Sequence, residues 1–275
     1  MVLAISGCQE SGTTDLLEKI KARGFVRVGY ANEAPFAYFD SHREQLTGEA
    51  PEIAKTIFKR LQVDKVEGVL TEFSSLIPGL KAGRFDIIAA GMYITPKRCE
   101  QVAFSNPTYG IGEALIVKSG NPLGLHSYED IIRNQEIKLG LVSGTMEIQY
   151  ARSVGISKEQ MVIFPDVPSA FAGVQASRVD GFGATSLTVQ DALLKANDET
   201  LEQATPFSAP IIQGAQVRGY GGFVFRKENE NLRGLFNREL ASFIGTQEHL
   251  ATIAPFGFTE NQLPGSVTAE QLCQG

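Results

Sequence analysis

Twice along this chain, short runs that alternate apolar and polar residues are followed by segments of helical period, and that succession leaves few folds open. Residues 25–30 (FVRVGY) alternate as a strand does, and the next six, ANEAPF, form a turn-rich loop that carries Glu33 and Phe36 to a sheet edge. Pro51 then opens a run with apolar residues at Ile53, Ile57, Phe58 and Leu61, the helical period with proline in the first turn, where its missing N–H costs nothing. A strand over 65–70, a helix over 74–82 and a strand over 85–89 follow. The second half repeats the pattern, with strands predicted at 138–142, 161–164 and 179–182 and helices at 145–153 and 169–176. Strands alternating with helices imply parallel sheets in an α/β protein. A weak internal echo supports two lobes: SLIPGLKAGRFD (75–86) and SAFAGVQASRVD (169–180) share Ser, Gly, Ala, Arg and Asp at five of twelve positions, each a helix running into a strand.

Two β-rich runs, EALIVK (113–118) and YGGFVFR (220–226), lie between Gly-rich stretches and read as paired crossing strands. They divide the chain into a first lobe over 9–111, a hinge strand over 112–118, a second lobe over 119–218, a returning hinge strand over 219–226, and a completion of the first lobe over 227–275, which includes a helix over 232–244. A two-lobed protein of this kind has its natural ligand site in the cleft, at the carboxyl ends of the parallel strands.

Length and composition fit this division. At 275 residues, one core begins to split into two. Lys+Arg 25 against Asp+Glu 31 leaves a net charge of −6, which excludes a nucleic-acid footprint. No apolar run approaches the roughly 18–20 residues of a membrane-spanning helix. Residues 2–8 (VLAISGC) resemble the tail of a secretory signal ending in a lipoprotein cleavage box, or are an N-terminus with an incidental cysteine; on the first reading Cys8 carries a lipid anchor. In that case Cys99 and Cys273 remain as the natural disulfide pair, clipping the C-terminal tail onto the body of an exported protein. No Cys/His spacing suggests a metal, and no GxSxG, HExxH, Walker loop or GxGxxG suggests catalysis or a cofactor. His42, His126 and His249 read as surface residues.

The informative stretch is GMYITPKRCEQVAFSNPTY (91–109). Thr95 is placed to cap a helix with Pro96 at its first position. Arg98 then lies in the first turn, as a surface ion-pair partner or as a guanidinium reaching across the strand ends to hold a carboxylate bidentately. With LIPGLKAGRFD (76–86) before it, this stretch resembles the motif pair of the extracellular solute-binding proteins of polar amino-acid ABC importers, and the resemblance runs over essentially the whole chain. It implies a two-lobed periplasmic-binding-protein fold of type II, export to the periplasm, a membrane permease as partner, and a closing motion that suits a monomer. The ligand-carboxylate arginine of that family falls on Arg98. Its loop of backbone and hydroxyl contacts falls on Ser143, Gly144 and Thr145, where a helix N-terminus also favours an anion.

The departures are informative too. Amino-acid binders of the family offer Ser or Thr in the strand-end loop and an acidic residue in the second lobe for an α-ammonium. Here the loop offers Gly91 and Tyr93, and the acidic position aligns near Thr185. Three rings stand at strand ends instead, Phe36, Phe73 and Tyr93, with Glu33 beside them: a cage for a delocalised or alkylated cation. Arg98 for a carboxylate and the cage for a cation together specify a zwitterion. The chain is similar to the ectoine/hydroxyectoine-binding proteins of compatible-solute importers in ANEAPF (31–36), TGEAPEIA (47–54), GMYITP (91–96), FSNPTYGIGE (104–113) and FGFTE (256–260). That resemblance implies a cyclic amidinium held by Phe36, Phe73, Tyr93 and Glu33 and a carboxylate held by Arg98. One ring that is commonly Tyr in the group is Phe73 here. Two other readings stand beside it: an amino-acid or betaine binder on the same fold, and a cyclic-acid dehydratase with Glu33 as its one acid/base candidate.

Overall fold

The computed structural model of the chain describes residues 15–274. Cys8 and residues 9–14, and with them the lipid-anchor expectation, lie outside the described residues. The architecture is α/β in two lobes. In the first sheet the strands lie in the order Lys65–Leu70, Phe25–Tyr30, Ile87–Tyr93, Gly219–Phe225 and Ala103–Phe104, with Tyr109–Ile111 pairing the other end of Gly219–Phe225. The first three run parallel and Gly219–Phe225 runs antiparallel to them. In the second sheet the order is Met161–Phe164, Leu139–Val142, Gly181–Thr185, Glu113–Lys118 and Leu201–Gln203. Again three strands are parallel and the fourth, Glu113–Lys118, is antiparallel.

The internal echo has a structural counterpart. Asp86 accepts the backbone N–H of Arg27 at 2.8 Å, and Asp180 accepts that of Lys138 at the same distance, so each aspartate ties a helix-to-strand turn to the first parallel strand of its sheet or the residue that opens it. The shared glycines are places where a ring lies on the helix. A Cβ on Gly79 would come within 2.9 Å of the Phe85 ring, and one on Gly173 within 2.6 Å of the Phe164 ring.

Local chemistry sets the elements. Asp15 caps Leu16–Arg23, which ends at Gly24 in the left-handed conformation. Ile53, Ile57 and Phe58, one face of the helix Glu49–Arg60, are fully buried in the first lobe's core with Phe236 and Phe243 from Glu230–Phe243. Each such side chain contributes about 1.5–3 kcal/mol by leaving water. The second sheet is covered on both faces, by one cluster around Phe164, Phe171 and Phe182 and another around Leu115, Tyr128 and Leu139.

Three expectations need correction. The runs 113–118 and 220–226 do not pair with each other. Glu113–Lys118 is an internal strand of the second sheet, and the return strand Gly219–Phe225 pairs instead with Tyr109–Ile111. The glycines that read as boundaries are strand positions beneath rings: a Cβ on Gly219 would lie 2.0 Å from the Tyr93 ring, and one on Gly221 2.2 Å from the Tyr109 hydroxyl. The strand expected over 85–89 is Ile87–Tyr93, so Tyr93 ends the strand rather than following it. His249 is fully buried; its Nδ1 accepts from the Gly245 N–H at 3.1 Å, and burial pushes its pKa down to about 4. The imidazole is therefore neutral at physiological pH.

A disulfide joins Cys99 to Cys273, bridging the short helix Pro96–Cys99 and the terminal helix Ala269–Gln274. Among the described residues no helix is long and apolar enough to cross a membrane.

Candidate functional site

The carboxyl ends of the first lobe's parallel strands open onto a narrow cavity lined by Glu33, Phe36, Phe73, Gly91, Tyr93 and Arg98 from that lobe and by Thr145, Met146, Glu147 and Thr185 from the other. Of the seven ligand-binding residues expected from sequence, six line this cavity, and Gly144 touches it through Arg98.

Each ring is placed by its neighbours. Phe36 packs at 5.0 Å from Tyr109 and 5.5 Å from Phe258. Gly91, with φ +63°, leaves it room, because a Cβ there would meet the Phe36 ring at 2.6 Å. Phe73 sits in the single 3₁₀ turn Phe73–Ser75, with the Arg98 guanidinium 5.6 Å from its ring centroid. Tyr93 lies against the bare backbone of Gly219 and donates from its hydroxyl to Glu113 Oε1 at 3.4 Å.

Arg98 is held from both lobes. Thr95 caps its helix, accepting the Arg98 N–H at 3.3 Å, and the disulfide fixes the neighbouring Cys99. Its Nη1 donates to the Tyr93 carbonyl at 2.7 Å and its Nη2 to the Gly144 carbonyl at 2.9 Å. Two of the five guanidinium N–H groups are thus engaged by backbone, and the remainder are free to hold an anion. Gly144, at φ +83°, passes so close to the first lobe that a Cβ would meet Ser74 Cα at 2.7 Å.

The second lobe's contribution is polar. Thr185 caps Ser186–Ala196, accepting the Thr188 N–H at 3.2 Å. Its hydroxyl donates to Thr188 Oγ1 at 2.9 Å, and the Thr188 hydroxyl donates on to Glu33 Oε1 at 3.0 Å. Where amino-acid binders of the resembled family place an acid, this chain therefore has a hydroxyl relay that holds the first lobe's glutamate. The second lobe does supply a carboxylate to the cavity, Glu147, which sequence reasoning missed. It comes from the first turn of Glu147–Val154, a helix start with no side-chain cap.

Burial first, and the like charge of Glu147 second, push the Glu33 pKa up to about 7 against the opposing hydrogen bond from Thr188. Burial lowers the Arg98 pKa, opposed chiefly by Glu147. The cavity thus combines one guanidinium, three rings and more than one carboxyl, groups that can pair with an anion and with a cation respectively. Among the described residues no group of three or more His, Cys, Asp or Glu is placed to hold a metal ion.

Comparison with known proteins gives consistent matches. The model of the bacterial extracellular solute-binding proteins, family 3, matches residues 26–260. A probable amino-acid ABC transporter periplasmic-binding protein of Sinorhizobium fredii is 37% identical over 265 residues, covering 94% of this chain and 85% of that protein. Among solved structures, EhuB in complex with hydroxyectoine superposes with a TM-score of 0.84 at 38% identity, covering 94% of this chain and 97% of that one. An ancestral amino acid-binding protein described as a precursor of cyclohexadienyl dehydratase matches with a TM-score of 0.75 at 27% identity, over 88% and 99% of the two chains.

Proposed function

Because the chain belongs to the bacterial extracellular solute-binding proteins of family 3, we propose that it captures ectoine and hydroxyectoine between its lobes and presents them to an ABC permease. The observation that carries this reading is the pairing, in one small cavity, of Arg98 with three rings and Glu33. The ligand carboxylate takes the free N–H groups of Arg98, near Thr145 and the uncapped helix start. The cyclic amidinium lies against Phe36, Phe73 and Tyr93 with Glu33 as counter-charge. The likeness to EhuB bound to hydroxyectoine supports the same ligand class. Capture closes the lobes, and the closed form is what the permease reads. In this reading the protein works in the periplasm as a monomer without a cofactor. Among the described residues its lobes are 15–111 with 219–274, and 113–218, with the chain crossing after Tyr109–Ile111 and before Gly219–Phe225.

A second reading has one observation in its favour. Glu147 supplies from the second lobe the carboxylate that an α-ammonium needs, and a relative is named as an amino-acid binder. Titration calorimetry of the ligand-stripped protein against ectoine, hydroxyectoine, glycine betaine and lysine separates the two. Tight binding of the ectoines alone supports the first reading; tight binding of lysine overturns it.

A further inference from the structure

Glu113 begins a strand of the second sheet, opposite Thr185 in the ladder, and does not itself line the cavity. It is 6% exposed, and Glu147, which does line the cavity, is 5% exposed. The two carboxyls face each other closely enough for a side-chain hydrogen bond. Tyr93 donates to Glu113 Oε1, while Glu113 Oε2 and Glu147 Oε2 are buried without a partner. The titratable groups around the pair are Glu33 from the loop after the first strand, Tyr93 from Ile87–Tyr93, Tyr109 from Tyr109–Ile111, Tyr128 from Tyr128–Arg133, Tyr150 from the Glu147 helix, and Arg98 on the Glu147 side.

Two carboxylates in contact in a dry site do not both ionise; one keeps a proton and donates it to the other. We propose that Glu113 is a positioning residue held as a neutral carboxylic acid, which donates its proton to Glu147 and so holds Glu147 with its other oxygen turned to an N–H of the ligand's cation. This rests on the ectoine-type reading for its ligand and on the described geometry for its proton. Burial first, and the charge of Glu147 second, push the Glu113 carboxyl well above the usual carboxylate range. The pair selects the kind of cation. An amidinium with two N–H groups satisfies both Glu33 and Glu147, whereas a quaternary ammonium has no N–H and leaves a buried acceptor unpaired.

Infrared spectroscopy of the ligand-free protein at pH 8 tests the proton directly. At that pH Glu33 and Glu49, whose pKa values are both pushed up to about 7, are largely ionised. The C=O stretch of a protonated carboxyl is expected in the parent and is lost in Glu113→Gln, whereas in Glu147→Gln, where burial still holds Glu113 neutral, it persists at a shifted frequency because its hydrogen-bond acceptor has changed. Persistence of the band in Glu113→Gln, or an unshifted band in Glu147→Gln, overturns the proposal. Calorimetry with ectoine tests the positioning role. Glu113→Gln, which keeps a neutral donor, is expected to bind at least tenfold more tightly than Glu113→Ala, and equal or weaker binding contradicts the role. Absence of ectoine binding by the parent overturns the ligand reading and the ligand-facing half of this one, while the infrared result still decides where the proton lies.

Discussion

In the first lobe the strand-end loops carry three rings, a glutamate and an arginine; in the second, on the same strand order, they carry hydroxyls, a glutamate and an uncapped helix start. The scaffolds match down to the aspartate that ties each helix-to-strand turn, so the difference lies in the loops. The first lobe supplies the rings, Glu33 and Arg98 to the cavity. The second has small polar groups that reach across, Thr188 to Glu33 and the Gly144 carbonyl to Arg98, and these contacts exist only when the lobes are together. Recognition is therefore assigned mainly to one lobe and closure mainly to the other.

The largest test of that division is Arg98→Ala. It removes a charge-assisted contact in a desolvated cleft and is expected to weaken ectoine binding by about 2–5 kcal/mol in calorimetry; unchanged affinity would break the assignment of the carboxylate to the first lobe. Tyr93→Ala, which removes a ring face from the cation, is expected to cost about 1–2 kcal/mol in the same measurement. Gly144→Ala acts on the second lobe's role. Its Cβ would meet Ser74 Cα at 2.7 Å only in the closed arrangement, so small-angle scattering with saturating ectoine should report a more open particle. Affinity should fall about tenfold, about 1.4 kcal/mol. A closed particle with full affinity would mean that this contact does not gate closure.

The smallest expected effects are those of pH. Glu33, with its pKa pushed up to about 7, loses its charge as pH falls from 8 to 6, so affinity for a cation should drop by roughly three- to tenfold over that range and become flat in Glu33→Gln. Stability of the ligand-free protein moves the other way. Glu33 and Glu49 both have folded-state pKa values raised from 4.5 to about 7, so their protonated forms favour the fold. That contribution is fully present below about 4.5 and is lost as pH rises through 7. Thermal melting should therefore occur at a lower temperature at pH 8 than at pH 5, and the gap should narrow in Glu49→Gln.

Much of this comparison was legible in the residues. Arg98 announces itself through the Thr95-Pro96 helix start, and Phe36, Phe73 and Tyr93 through their positions at successive strand ends. The parallel order of both sheets follows from the alternation of strand and helix patterns. Glu147 was hidden because nothing in a helix's own period marks a first-turn acid as facing a cleft; only the approach of the other lobe does that. Glu113 was hidden for a similar reason, since it begins a run that reads as a crossing strand. That misreading has a physical cause too. Gly110, Gly219 and Gly221 look like punctuation, yet they are where the rings of Tyr220, Tyr93 and Tyr109 lie on the crossing strands, a long-range packing relation that local patterns do not contain.

The most direct test of the central claim is a crystal structure of the protein grown with ectoine. The account predicts closed lobes, the ligand carboxylate on the Arg98 guanidinium, and the amidinium between Phe36, Phe73 and Tyr93 against Glu33. A ligand lying in the reverse orientation, or a cleft in which Arg98 holds only the Tyr93 and Gly144 carbonyls while ectoine binds elsewhere, would contradict it.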